Sequence, residues 1–172
     1  QTAAQWSART MLGVRPIRDV QASPDSREVL FTGVEASLDK DAFISQIYRT
    51  SISSTTPPRR VGNTNLSCNL PRWSPDGRWI AFIAEENKRK SLRIVPADGH
   101  DIQVLVQAPK DVQNYAWSPD SRSIAFVMAE EVKAESPTCD AYDYARDKEI
   151  NRLWVVSITS PGQYRALTPR EY

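Results

Sequence analysis

Three times within 172 residues the chain repeats one short unit, and that repetition limits its fold more than any other feature. Residues 20–31 read VQASPDSREVLF, residues 71–82 read PRWSPDGRWIAF and residues 115–126 read YAWSPDSRSIAF. The serines of the Ser-Pro-Asp cores are Ser23, Ser74 and Ser118. Their spacings of 51 and 44 residues mark a structural repeat rather than a single irregular domain.

Each copy predicts a tight hairpin. Pro24, Pro75 and Pro119 fix φ for the first corner of a turn, and Asp25, Asp76 and Asp120 bond back to the backbone. The following residue takes the left-handed conformation that closes the hairpin. Gly77 does this without steric cost, whereas Ser26 and Ser121 carry a penalty of roughly 1 kcal/mol each. After the turns, Trp79 to Ile83 and Ile124 to Val127 are unbroken apolar runs, as in strands covered on both faces.

Further strands are predicted at Ile44 to Ile52, Leu92 to Val95 and Leu153 to Ile158, with closing strands at Ile102 to Val106 and Tyr164 to Thr168. The Ala97-Asp98-Gly99 and Ser160-Pro161-Gly162 segments supply the turns between them. Four strands per unit of 40 to 50 residues describes β-propeller blades. The expected fold is therefore all-β, a partial propeller of three four-stranded antiparallel blades over residues 17–62, 63–108 and 109–168. Pro57-Pro58-Arg59-Arg60 reads as an extended linker between blades. A helical-repeat reading fails because Pro and Gly interrupt every window after residue 60.

Residues 1–16 form the lead-in. Thr2 with Gln5 matches a capping box, Gly13 a C-terminal stop and Pro16 a block to continuation, which predicts one short helix. The opening Gln1-Thr2-Ala3-Ala4 fits either a mature end left by signal removal or an arbitrary boundary, so the compartment is periplasmic or secreted in the first case and cytoplasmic in the second.

Composition removes several functional classes. A net charge of +1 provides no overall basic field for nucleic acid, and no apolar run reaches the roughly 18 residues of a membrane helix. Lys88-Arg89-Lys90 is a basic hairpin tip too small for nucleic acid. Cys68 and Cys139 form no Cys-x-x-Cys pair, so no zinc cluster is suggested, and one bridge between them is left open. His100 is the only histidine and follows a turn, so any triad or metal site would have to use it. No cofactor or metal is expected. Trp73 and Trp117, each immediately before Ser-Pro-Asp, are expected to pack between neighbouring blades.

The repeat, Trp-Ser-Pro-Asp-Gly-Arg-x-Ile-Ala-Phe followed by Leu-Arg-Ile-Val-x-Ala-Asp-Gly, resembles the TolB-type propeller repeat over about residues 17–168. That repeat occurs in TolB-like proteins and in the N-terminal propeller of prolyl oligopeptidase family serine peptidases, including acylaminoacyl peptidases and dipeptidyl aminopeptidases. The leading segment, and Asp143-Tyr144-Ala145-Arg146-Asp147 followed by Asn151 to Val156, are similar to the peptidase branch. The resemblance implies a noncatalytic propeller that gates and orients short peptides for a C-terminal α/β-hydrolase domain. A TolB-like protein-binding propeller without a hydrolase is the alternative. No Gly-x-Ser-x-Gly nucleophile elbow is present, and three blades fall short of the usual 4 to 8. The chain is thus expected to be part of a longer protein, with residues 169–172 opening a further segment and its uncovered blade edges able to pair with another chain.

One segment breaks the repeat. Glu130 to Glu149 lengthens the third blade between its second and third strands, and seven acidic against three basic residues give it a net charge of −4. The resemblance suggests that the carboxylates of Glu130, Glu131, Asp140 and Asp143, with Tyr142 and Tyr144, hold the charged amino terminus of a peptide, with Arg146 as a further substrate-binding residue. A solvated acidic loop is the competing reading.

Overall fold

The computed structural model describes residues 16–37, 42–62, 65–98, 101–132 and 148–169. Among these residues every regular element is a β-strand, and the strands form three four-stranded antiparallel sheets. The first sheet holds β1 (Ile17–Ala22), β2 (Glu28–Ser37), β3 (Ala42–Ser51) and β4 (Arg59–Arg60). The second holds β5 (Ser67–Trp73), β6 (Trp79–Glu86), β7 (Arg89–Pro96) and β8 (Gln103–Val106). The third holds β9 (Val112–Trp117), β10 (Ser123–Val132), β11 (Lys148–Ser157) and β12 (Tyr164–Ala166). Each sheet is a meander in chain order, so each is one propeller blade. The helix expected near the N-terminus lies outside the described residues.

The three Ser-Pro-Asp turns are built alike. Ser23, Ser74 and Ser118 each donate through Oγ to the Asp two residues on, at 2.6 Å, and accept the backbone N–H five residues on, at 2.9 Å. The same Asp oxygens accept the N–H of Arg27, Arg78 and Arg122 at 3.0–3.1 Å. Ser26, Gly77 and Ser121 sit at φ of 58°, 72° and 60°. The turn therefore satisfies its own donors and delivers the next strand in fixed register.

Apolar faces meet between blades. Between the first two lie Leu30, Ile47 and Val61 on one side, with Trp73, Ile80, Phe82 and Val95 on the other. Between the second and third lie Ala81, Ile83, Ile94 and Leu105 against Tyr115, Ile124, Phe126 and Val156. A strand such as β6 turns Ile80 and Phe82 to one neighbour and Ala81 and Ile83 to the other, which is why its sequence is continuously apolar. Trp73 is buried in the first interface and Trp117 packs at the edge of the second, donating its indole N–H to the Arg72 carbonyl at 3.3 Å.

The segment read as a linker, Pro57 to Arg60, instead ends in the outermost strand of the first blade. Arg59 and Arg60 pair with Arg49 and Tyr48, and Val61 N–H continues the ladder to the Ile47 carbonyl at 2.9 Å. Two exposed arginines behind two prolines carry too little alternation to be recognised as a strand, although an edge position tolerates that composition.

The innermost strands each contain an irregularity. In β1 and β5 the register skips between Arg18 and Gln21 and between Asn69 and Arg72, with Asp19 and Leu70 at positive φ; in β9 it shifts opposite Val127 and Met128. The β5 bulge takes Leu70 and Pro71 out of the ladder, which accommodates a proline that has no N–H to give. The Tyr115 hydroxyl, reaching across from β9, lies 2.5 Å from the Leu70 carbonyl oxygen and 2.7 Å from that of Ala81. One phenol thereby closes both a bulge and a blade interface.

Tyr115→Phe should destabilise the protein by about 1–3 kcal/mol, because one buried and one partly buried carbonyl lose their shared donor while packing area is nearly unchanged. Urea unfolding checks this: an unchanged midpoint would show that the hydroxyl contributes nothing net.

Candidate functional site

A meander has two ends, and the topology divides the loops of every blade between them. One rim carries the Ser-Pro-Asp turns together with the β3–β4, β7–β8 and β11–β12 connections. The opposite rim carries the β2–β3, β6–β7 and β10–β11 hairpins and the passages from one blade to the next. In the second blade the hairpin closes tightly over Asn87 and Lys88, both at positive φ as a two-residue primed turn requires. In the third, the same position holds the acidic insertion.

The roots of that insertion are committed to ion pairs. Glu130 pairs with Arg152, whose side chain is 12% exposed. The register sets Arg152 opposite Met128, so Glu130 is its diagonal neighbour on the adjoining strand. Arg152 also donates from Nε and Nη2 to the Thr168 carbonyl at 3.1 and 2.5 Å, and its guanidinium lies 5.1 Å from the centre of the Trp154 ring. Glu131 reaches Lys110 at 2.5 Å, on the passage between the second and third blades. Asp140, Tyr142, Asp143, Tyr144 and Arg146 lie outside the described residues.

Beside the root of the insertion, a depression of about 430 Å³ is lined by Lys88, Arg89, Lys110, Asp111, Gln113 and Ala129. Arg89 donates to the Pro109 carbonyl, Asp111 accepts Lys90 N–H at 3.1 Å, and Gln113 donates to Asn151 at 2.9 Å. This rim thus sets Lys88 and Arg89 of the second blade near Glu131 and Lys110 at the root of the third blade's hairpin. Sequence reading named the carboxylates and missed Lys110, Arg152 and Thr168. For Arg152 the available signal was its two-residue spacing from Trp154, which places both on one face of a strand.

The turn rim carries one aspartate and one arginine per turn and is self-satisfied. The serine hydroxyls, and after them the backbone N–H groups of Arg27 and Arg122, hold Asp25 and Asp120 below the ordinary carboxylate pKa. At Asp76 the Ser74 hydroxyl has the same effect, with burial opposing it. A cleft of about 200 Å³ lies between the first two turns, lined by Asp25, Glu28, Trp73 and Asp76 among others. Glu28 faces Arg49 at 3.8 Å, and Arg49 donates across to the Ala97 carbonyl.

Neither Cys68 nor Tyr115 is activated as a nucleophile. Cys68 is 2% exposed, and burial pushes its thiol up to about 11. Burial likewise raises Tyr115. Among the described residues no group of three or more His, Cys, Asp or Glu is arranged to hold a metal ion, and no helix is long and apolar enough to cross a membrane. His100 and Cys139 lie outside the described residues.

No protein-family profile matches the chain. Over 109 residues, 62% of its length, the chain is 30% identical to a Bacillus subtilis (strain 168) protein named as the uncharacterized peptidase YuxL, and it spans 16% of that protein. An acylaminoacyl peptidase solved with Z-Gly-Gly-Phe-chloromethyl ketone superposes with a TM-score of 0.70 at 18% identity, covering 96% of this chain and 27% of the peptidase. A putative TolB from Agrobacterium tumefaciens superposes at 0.62 and 21% identity, covering 90% of this chain and 49% of TolB. The three sheets accordingly have the fold of TolB-like propeller blades, as in the superposed acylaminoacyl peptidase and TolB structures.

The turn aspartates define an acid limit. A carboxylate whose pKa falls on folding adds stability that is complete above its unfolded value, about 3.9, and lost as pH drops through the lower folded value. The urea midpoint should therefore decline as the pH falls below about 4, and Asp25→Asn/Asp76→Asn/Asp120→Asn should flatten that decline. An identical pH profile for the triple variant would assign acid sensitivity to other groups.

Proposed function

We propose that these blades belong to the N-terminal propeller of a prolyl oligopeptidase family serine peptidase, noncatalytic in themselves, which restrict and orient short peptides for a C-terminal α/β-hydrolase domain. In this reading residues 1–16 lead in, residues 17–62, 63–108 and 109–168 are successive blades, and residues 169–172 pass into the rest of a longer chain. The observation that carries it is the match to a peptidase-named relative in a chain that superposes along nearly its whole length on an acylaminoacyl peptidase propeller.

The physical basis is exclusion. Stacked blades around an axis leave a narrow passage lined by their innermost strands, so folded proteins stay out while extended peptides enter. The acidic insertion supplies orientation. Carboxylates from Asp140 and Asp143, with Tyr142, Tyr144 and Arg146 around them, would hold a peptide ammonium by charge-assisted bonds and fix the distance to a remote nucleophile. Glu130 and Glu131 have a different part in this scheme, because their pairing with Arg152 and Lys110 anchors the insertion rather than meeting a ligand.

Binding of a protein partner without hydrolysis is the second reading, favoured by the likeness to TolB over a larger share of that protein. Peptide arylamide turnover separates the two: a longer protein built on these blades should cleave such substrates, and the 172-residue chain should not. In the longer protein, Asp140→Asn/Asp143→Asn should raise KM about 5-fold or more for substrates with a free amino terminus and leave N-acylated ones unchanged, in line with the worth of a charge-assisted hydrogen bond. Equal KM values for both substrate classes would remove the orienting role.

A further inference from the structure

Ser121 contains the clue to how one blade recognises the next. It occupies the left-handed corner of the third Ser-Pro-Asp turn, where glycine is less strained, yet it is 4% exposed. Its Oγ accepts the backbone N–H of Asp76, in the turn of the preceding blade, at 3.0 Å. The strained serine is thus an inter-blade acceptor. At the equivalent corner of the second blade stands Gly77, from which a Cβ would lie 4.0 Å from Pro24; glycine has no side chain to offer Asp25, and the cleft between the first two turns lies there.

The first blade has the serine again. Ser26 holds φ of 58°, but it is exposed, and among the described residues its Oγ has no partner. The sheet face beneath it follows the same logic. Ile80 and Phe82 in the second blade, and Ile124 and Phe126 in the third, face the preceding blade and are each 0% exposed. Counted from the turn serine, their equivalents in the first blade are Val29 and Phe31, and both are only half-buried. Phe31 stacks on Tyr48 at 5.6 Å, and the Tyr48 ring fills the space over Gly33, 3.0 Å from where a Cβ would stand. Ile17, paired with Gly33, is 62% exposed. This is an inter-blade face with all its parts and no described blade against it.

We propose that this face receives the ring-closing blade of the longer protein, and that Ser26 Oγ accepts a backbone N–H from the tight turn of that blade, as Ser121 accepts from Asp76. The occupant follows from continuity with the two existing interfaces, which use the same positions in the same order. The assignment rests on the reading that further blades follow, and not on the presence of a hydrolase.

Ser26→Gly and Ser121→Gly test it by thermal unfolding in two settings, the 172-residue chain and the longer protein. Glycine relieves the left-handed strain at both sites, so a serine that serves only its own turn predicts a higher melting temperature everywhere. The expected result is that Ser121→Gly lowers the melting temperature in both settings. Ser26→Gly should raise it by roughly 2–4 °C in the 172-residue chain and lower it in the longer protein. As a second measurement, a thiol introduced by Val29→Cys should react with a soluble thiol reagent at least about 10-fold more slowly in the longer protein, as expected for a side chain sealed in an interface. Stabilisation by Ser26→Gly in both settings, or equal labelling of the introduced thiol, overturns the assignment. So does a longer protein with no further blade, or concentration-dependent pairing through this face that makes a second copy the occupant. Loss of peptidase activity would count only against the hydrolase reading.

Discussion

The serine hydroxyl of each Ser-Pro-Asp turn holds the architecture in place. Within five residues it donates to a carboxylate and accepts from the backbone where the next strand begins. A two-strand hairpin has marginal stability in water, and its register slips easily unless the turn dictates it. Here the turn dictates it three times with nearly the same distances. A slip of one residue would exchange Ile80 and Phe82 with Ala81 and Ile83, presenting each blade with the set of side chains meant for its other neighbour. Local hydrogen bonding therefore decides which apolar face meets which blade.

That dependence explains what was legible. Turn residues and apolar runs are local signals, so the three blades, their inner hairpins and the tryptophans between them could be read from the amino-acid order. Arg59–Arg60 could not, because an edge strand of two residues is defined by the strand beside it and carries no pattern of its own. The bulge at Leu70 was hidden for a related reason. Leucine disfavours positive φ, and its position is set by Tyr115, 45 residues further along, which no local window includes.

The candidate site was legible in charge but not in wiring. Composition alone marks 130–149 as acidic, yet whether a carboxylate is available depends on partners that come from other strands. Glu130 is neutralised by Arg152 through diagonal neighbourhood in a ladder, and Glu131 by Lys110 across the blade passage. Neither pairing follows from sequence spacing. Both require the register of β10 against β11 and the stacking of the third blade on the second.

Arg152 extends this wiring beyond the insertion. Its guanidinium joins Glu130, at the root of the acidic loop, to the Thr168 carbonyl, on the segment leaving the third blade, while resting on Trp154. Leu153 N–H bonds the Thr168 hydroxyl at 3.2 Å, so the outgoing chain is tied at two points to the strand that carries the insertion. A partly buried guanidinium with three kinds of partner resists reorientation, because moving it would strip a carboxylate and a carbonyl of their charged donor together. The loop that varies most in length from blade to blade is therefore rooted beside a guanidinium with several described partners. The root of the insertion and Thr168 are thus held by one guanidinium.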